Sequence, residues 1–292
     1  MKFQVSVVIT TLGGSGLAPT IAQLQRGTVI PAEILVCIPE PLAASVSHLA
    51  GGNVRIIPTP VRGQVGQRAF GFRFVNSPMV LQLDDDVYLD ERCIEFMARL
   101  LAEKGEKSVV GPSLFIRSTG EYAYPPRPPS DERPGLSHRI LNGAEGYRSG
   151  RMARSGFCFG FEYKQTPQET DWLPGGCVMQ WRANLLMQDY YPYPGKAYAE
   201  DLFHSYLLRK AGMRLYMSGE AKCFFDYGQR GYGGRLKDVL YEARAVYKFA
   251  RFAGKEAYRL PFYYLLVLRG LLGETVKHLL WRVSSSFRSS HV

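Results

Sequence analysis

The chain has 292 residues, 46% hydrophobic and 21% charged, which excludes extended disorder and leaves one large α/β domain or two smaller ones. Its five cysteines, Cys37, Cys93, Cys158, Cys177 and Cys223, are an odd number without Cys-x-x-Cys spacing, which argues against a disulfide framework or a structural zinc site and fits reduced thiols in a cytoplasm. The net charge of +10 invites nucleic acid or an anionic membrane, but eleven Lys/Arg against four Asp/Glu between Arg235 and Val292 place most of the excess in a tail, and no nucleic acid partner is expected.

The N-terminus enters an apolar run after Lys2 with no small-residue cleavage site, so no secretory signal is expected. Residues 3–10 (FQVSVVIT) are β-branched and apolar without alternation, the pattern of a strand covered on both faces in a parallel sheet. Gly13, Gly14 and Gly16 punctuate the turn that follows, and a short helical pattern begins at Ile21 and ends near Gly27. EILVCIP (33–39), NVRIIPT (53–59) and MVLQL (79–83) read as further buried strands, with a helical spacing over 64–76 between the last two. Strands alternating with helices indicate an open parallel sheet, whose ligands bind beyond the carboxyl ends of the strands.

Residues 91–104 predict an amphipathic helix with Ile94, Met97, Leu100 and Leu101 on one face, and SVVGPSLF after it a strand. From Arg117 to about Asp171 periodicity is lost and six of the 18 prolines occur, which reads as a functional loop. CVMQWRANLL restores regular structure, followed by a helix from about Glu200 to Lys210 closed by Gly212, and by a short strand, MRLYM. Over 236–253 a helix would place Leu236, Val239, Leu240, Ala243, Val246 and Ala250 on one face, with Lys237, Arg244, Lys248 and Arg251 largely away from it. The segment LPFYYLLVLRGLLGETVKHLLWRV has its longest uncharged stretch from Leu260 to Leu268. That is short of the ~20 residues a span needs, so an interfacial or buried helix is expected.

The densest chemistry lies in Leu81-Gln82-Leu83-Asp84-Asp85-Asp86-Val87. Three successive carboxylates leaving a buried strand repel one another, and a fold tolerates them mainly where a cation or hydrogen-bond donors offset the charge. Asp84 and Asp86 point the same way if the strand continues, and such a pair can hold a ribose hydroxyl and a hard divalent ion. The five histidines are scattered without ligand spacing.

The order FQVSVVITT, PAEILVCIP, GQVGQRA, LQLDDDV and YAEDLF resembles family 2 glycosyltransferases of the GT-A fold, over about residues 3–225. The resemblance implies a Rossmann-like, mostly parallel sheet flanked by helices. It also implies a nucleotide-sugar donor, a divalent cation (Mg²⁺ or Mn²⁺) and inverting transfer by a single displacement. Asp84 and Asp86 would be the metal carboxylates, with Asp84 and Asp85 at the donor. Thr10 and Thr11 match the strand end that meets base and ribose, although simple turn hydroxyls read equally well. Glu40, in Pro39-Glu40-Pro41, is the candidate acid after the second strand, where the family has D-D-x-S. Arg68 matches an arginine that opens the helix before the acidic segment. Asp201 would be the base that deprotonates the acceptor, with Glu200 orienting it; a helix N-cap carboxylate pair is the alternative. Trp172, Gly175 and Gly176 match the loop before that helix, the glycines for close approach to diphosphate or acceptor and Trp172 for stacking on a sugar, unless it is core. Asp226 stands where many members carry a metal-ligand histidine. Gln229-Arg230-Gly231-Tyr232 departs from the Q-x-x-R-W signature of processive synthases, which implies one sugar per event.

The expected organisation is a GT-A domain over 1–230, with a nucleotide-sugar-binding half (1–110) and an acceptor half (111–230), and a helical, basic and aromatic C-terminal extension over 231–292. That extension would dock on the inner face of the cytoplasmic membrane, where a lipid-linked glycan or polysaccharide precursor is the natural acceptor. Two alternatives remain. The glycine-rich Leu12–Thr20 loop faintly resembles that of sugar-1-phosphate nucleotidyltransferases, but Leu17 stands where those enzymes need a cation. A non-catalytic membrane-associated binding protein is the other.

Overall fold

The computed structural model describes residues 3–124, 135–193, 197–226 and 232–273, the last segment in side-chain detail from 236. Two compact units emerge, one formed by residues 1–127, 149–151 and 158–227, the other by 128–148, 152–157 and 228–292.

The uninterrupted apolar runs become strands with no solvent-facing side: every residue of β1 (Val5–Thr10) and β2 (Glu33–Pro39) is buried. The first unit continues with α1 (Leu17–Leu24), placed before β2, then β3 (Val54–Thr59), α2 (Gln64–Gly71), β4 (Met79–Asp84), β5 (Val87–Leu89), α3 (Cys93–Lys104) and β6 (Ser108–Ile116). It closes with β7 (Gln168–Thr170), β8 (Cys177–Trp181), α5 (Glu200–Lys210) and β9 (Arg214–Phe225), α4 (Leu136–Asn142) belonging to the second unit. The strands form one sheet in the order β3-β2-β1-β4-β8-β6-β9-β5, with β7 also on β9. β3, β2, β1 and β4 run parallel, as do β6 and β9, while β8 is antiparallel to both β4 and β6.

One face buries Val7, Ile9, Val36, Leu81 and Leu83 against Leu17 and Ile21 of α1 and Met97 and Leu101 of α3. The opposite face packs Val8, Leu35 and Val80 against Phe72 and Val75 beyond α2. Each fully buried aliphatic side chain contributes roughly 1.5–3 kcal/mol. The expected α/β fold, with helices on both sheet faces, is the one observed. Register decides where the site forms: Thr10 lies opposite Cys37 and Asp84, so β1, β2 and β4 end level. Cys177 lies opposite Leu83, which brings Gly175-Gly176 to the same end.

Several bounds differ from expectation. α1 begins at Leu17, and α2 ends at Gly71, passing into a 3₁₀ turn over Phe72–Phe74. A 3₁₀ segment over Glu40–Leu49 and β5 were not expected, and the short strand at MRLYM extends through Phe225. Beyond Ser218 that strand alternates exposed Glu220 with buried Ala221 and Cys223, a half-buried period that a search for continuous apolar runs passes over. Cys37, Cys93, Cys177 and Cys223 are buried free thiols.

In the second unit, α6 (Tyr232–Phe252) buries Ala245, Val246, Phe249 and Ala250. Leu240, expected on the buried face, is 53% exposed, because at about 100° per residue it lies on the side of the helix opposite Phe249, away from the covered row. Residues 260–273 are helical, with Leu260 and Tyr264 buried and the Tyr264 hydroxyl donating to Glu242 Oε1 at 3.1 Å. Glu256 receives Arg154 at 2.7 Å and the Arg259 Nε at 2.5 Å, and these bonds, Arg259 first, hold its carboxyl down to about 2. No described helix is long and apolar enough to cross a membrane. The remainder of the expected tail, 274–292, and the stretch Gln229-Arg230-Gly231 lie outside the described residues.

Candidate active site

The level ends of β1, β2 and β4 open into a cavity of about 850 Å³, within the range of small-ligand sites. Thr10 and Asp84 line it from the strand ends, Thr11, Asp85 and Asp86 from the turns that follow, Arg62 from the loop before α2, and Gln64 and Gln67 from α2 itself. Gln67 is the clamp of this end. It is buried, donates from Nε2 to the carbonyls of Thr11 (3.0 Å) and Cys37 (2.9 Å), and accepts the Gly63 amide at 3.0 Å.

The Thr11 hydroxyl accepts the Gly13 amide at 2.8 Å and donates to Asp85 Oδ2, while the Thr20 hydroxyl donates to the Asp85 carbonyl at 3.1 Å. Any Cβ at Gly16 would run into that carbonyl. The glycine-rich turn therefore seats the Asp85 backbone, a role that accounts for Gly16 without a phosphate. Burial lifts the Asp85 carboxyl, as does Asp86, against the Thr11 bond. Asp86 itself is exposed.

Asp84 Oδ1 accepts Gln64 Nε2 at 2.7 Å and one terminal nitrogen of Arg68 at 3.2 Å. The other terminal nitrogen of Arg68 donates to Glu200 Oε1 at 3.1 Å, and this guanidinium is only 2% exposed. Glu200 Oε2 accepts the Tyr190 hydroxyl at 2.6 Å. Burial works against the charge on Arg68, but Glu200 and Asp84 more than offset it and raise its pKa. Burial likewise pushes Glu200 up, yet Arg68 and the Tyr190 bond outweigh it and keep Glu200 below the usual carboxylate value. Asp84 rises to about 6, through burial and the like charges of Glu200 and Asp86, in spite of Arg68. Asp201 is lifted to about 7, by burial first and by Glu200 second.

Gly175 and Gly176 lie between these carboxylates. A Cβ at Gly175 would stand 2.6 Å from Glu200 Oε1, and one at Gly176 would stand 3.2 Å from Asp84 Oδ2. The helix carrying Glu200 follows Ala199, whose φ of 57° is the one left-handed non-glycine backbone among the described residues. His204, one turn on, is buried with its ring 5.5 Å from that of Tyr190, and burial lowers it to about 4, so it is neutral near pH 7.

The expected residues thus divide. Thr10, Thr11, Asp84, Asp85 and Asp86 line one cavity, and Arg68, Glu200, Gly175 and Gly176 are joined to it through Asp84. Asp201 follows Glu200 and is partly exposed. Glu40 is exposed after β2 and is not a lining residue. Trp172 is core: it is 8% exposed, donates its indole N–H to the Phe159 carbonyl at 2.9 Å and packs on Phe161 at 4.9 Å. Asp226 is exposed and ion-paired with Arg117 at 3.4 Å. Among the described residues no three His, Cys, Asp or Glu side chains group as a metal site. Asp84 and Asp86 both line the cavity, and a hard divalent ion is commonly held by one or two carboxylates together with substrate phosphate and water.

Gln64, Gln67, Arg62 and Tyr190 were not anticipated. Gln64, Gln67 and Arg68 are spaced i, i+3, i+4, a polar stripe on one helix face that could have pointed to the first two. Tyr190 sits among tyrosines and prolines with no spacing to mark it.

The profile of glycosyl transferase family 2 matches residues 6–163, more than half of the chain. No curated protein matches the chain. A solved structure described as "Crystal structure of GalNAc-T7 with UDP, GalNAc and Mn2+" is similar in fold, with a TM-score of 0.57 and 16% identity. The likeness covers 94% of this chain and 58% of that one, so the chain spans little more than half that protein's length.

Proposed function

The chain belongs to glycosyl transferase family 2, and on that premise we propose that it moves one sugar from a nucleotide-sugar donor to an acceptor hydroxyl with inversion, Asp201 serving as base. The observation that carries this reading is Arg68, divided between Asp84 at the cavity and Glu200 at the head of α5, which ties the donor end of β4 to the residue before Asp201. A base works best with a pKa near the operating pH, and the lift of Asp201 to about 7 supports that role. Asp201 takes the acceptor proton as the acceptor oxygen bonds to the anomeric carbon, and the bond from that carbon to the diphosphate oxygen breaks, leaving the nucleoside diphosphate. Thr10 and Thr11 stand at base and ribose. Asp84 and Asp86 would hold Mg²⁺ or Mn²⁺, which when bound offsets the diphosphate charge.

A lipid-linked glycan at the inner face of the cytoplasmic membrane is the acceptor this reading favours. Its support is the second unit's surface, where Phe262, Leu265 and Leu272 are 60–62% exposed beside exposed Arg269. Apolar side chains interleaved with cations suit an anionic lipid surface.

The test is incubation with UDP-, GDP- and dTDP-sugars and Mn²⁺, reading nucleoside diphosphate release and the anomeric configuration of the product by NMR. Release with inversion is expected. Retention of configuration would overturn the single displacement, and pyrophosphate exchange without diphosphate release would overturn the transfer itself.

A further inference from the structure

We propose that Tyr190 is a positioning residue for the transfer reaction, its hydroxyl fixing Glu200 so that Arg68 stays shared between Asp84 and the head of α5. The role rests on the reading of Asp201 as base. Both oxygens of Glu200 are engaged, Oε1 by Arg68 at 3.1 Å and Oε2 by Tyr190 at 2.6 Å, and Glu200 is 6% exposed. A carboxylate so enclosed does not reach substrate. Its work is to hold the next residue in place and to keep its half of Arg68, the other half being the hold on Asp84 at 3.2 Å. One line of hydrogen bonds therefore runs from Tyr190 through Glu200 and Arg68 to the carboxylate at the end of β4.

Tyr190 controls the free end of that line. Without its hydroxyl, a buried carboxylate oxygen loses its donor, and the carboxylate turns to recover one. Any turn moves Oε1 relative to Arg68. The backbone has little slack to absorb the movement, because Ala199 is held left-handed immediately before the helix and Gly175 packs against Oε1. The Tyr190 ring is kept in plane by the buried His204 ring, 5.5 Å away and tilted by 22°, so its hydroxyl has a fixed aim. Displacements of a reacting group by about 1 Å can cost on the order of 100-fold in rate.

The experiment uses the full chain with Mn²⁺, water as acceptor, and whichever sugar of the UDP, GDP and dTDP panel releases most diphosphate. Tyr190→Phe keeps the ring and deletes the hydroxyl. Assayed where both proteins are fully folded, it should lower kcat by roughly 10- to 100-fold, with donor KM within about twofold. Glu200→Gln should lower kcat comparably, and adding Tyr190→Phe to it should lower kcat no further, because both act through one carboxylate. Wild-type kcat in Tyr190→Phe would overturn the proposal. So would losses that multiply in the double variant, or a kcat loss that disappears once rates are divided by the folded fraction. Asp201→Asn separates this role from its premise. Full turnover in Asp201→Asn overturns the base assignment and this role with it, whereas an inactive Asp201→Asn beside a wild-type Tyr190→Phe overturns the positioning role alone.

Discussion

The two units treat the same residue types in opposite ways. In the first, Arg68 is withdrawn from water and its charge is divided between Asp84 and Glu200, while the aliphatic side chains of β1, β2 and β4 are wholly covered. In the second, Arg244, Arg251 and Arg269 stand at the surface together with Leu240, Phe262 and Leu265, which are 53–62% exposed. A buried cation exists only with its partners, so its neighbours cannot change one at a time. An exposed cation among exposed apolar side chains depends on no single neighbour, which makes that surface adjustable in a way the cavity is not.

Arg68→Met tests the contrast most severely. It leaves Asp84 and Glu200 with no cation and should cost about 3–5 kcal/mol in urea unfolding, whereas Arg251→Met should stay within about 0.5 kcal/mol. Equal costs would erase the distinction. Next in size is the pH dependence of turnover. A raised Asp201 is protonated below about 7, so kcat should fall as pH drops through 7, and Glu200→Gln, by removing the neighbouring negative charge, should move that fall to lower pH. In the second unit the double change Phe262→Ser with Leu265→Ser should abolish co-sedimentation with anionic vesicles, while unfolding free energy changes by less than about 1 kcal/mol. Loss of stability instead would mean that this face is covered within the protein. The smallest effect is expected at Ala199, where glycine adopts the left-handed backbone without strain. Ala199→Gly should raise stability by about 0.5–1 kcal/mol in thermal unfolding.

The elements read correctly from sequence were those with one dominant signal. β2 matches its run to the residue, and α5 runs from Glu200 to Lys210 as its pattern indicates. Asp84–Asp86 were conspicuous because crowded carboxylates after an apolar strand are costly without a reason. What escaped were groups whose meaning is set by distant partners. Gln67 and Tyr190 are ordinary polar residues until Cys37 and Glu200, 30 and 10 positions away, are folded onto them. Trp172 had two readings in sequence, and only the position of Phe159 and Phe161 decides for packing.

The Arg68–Glu200 pair also has a bearing on the order of assembly. It joins residues 132 positions apart, and Gln82 reaches Gly175 across 93 and Thr11 reaches Asp85 across 74. Contacts that close such long loops form late, after local helices and neighbouring strands. A chain released after about residue 110 would hold the Arg68 guanidinium beside Asp84 with its second carboxylate still unsynthesised. Until α5 arrives, the second terminal nitrogen of that guanidinium has no acceptor, and burying it unpaired is unfavourable, so this end of the sheet closes only as the fold is completed.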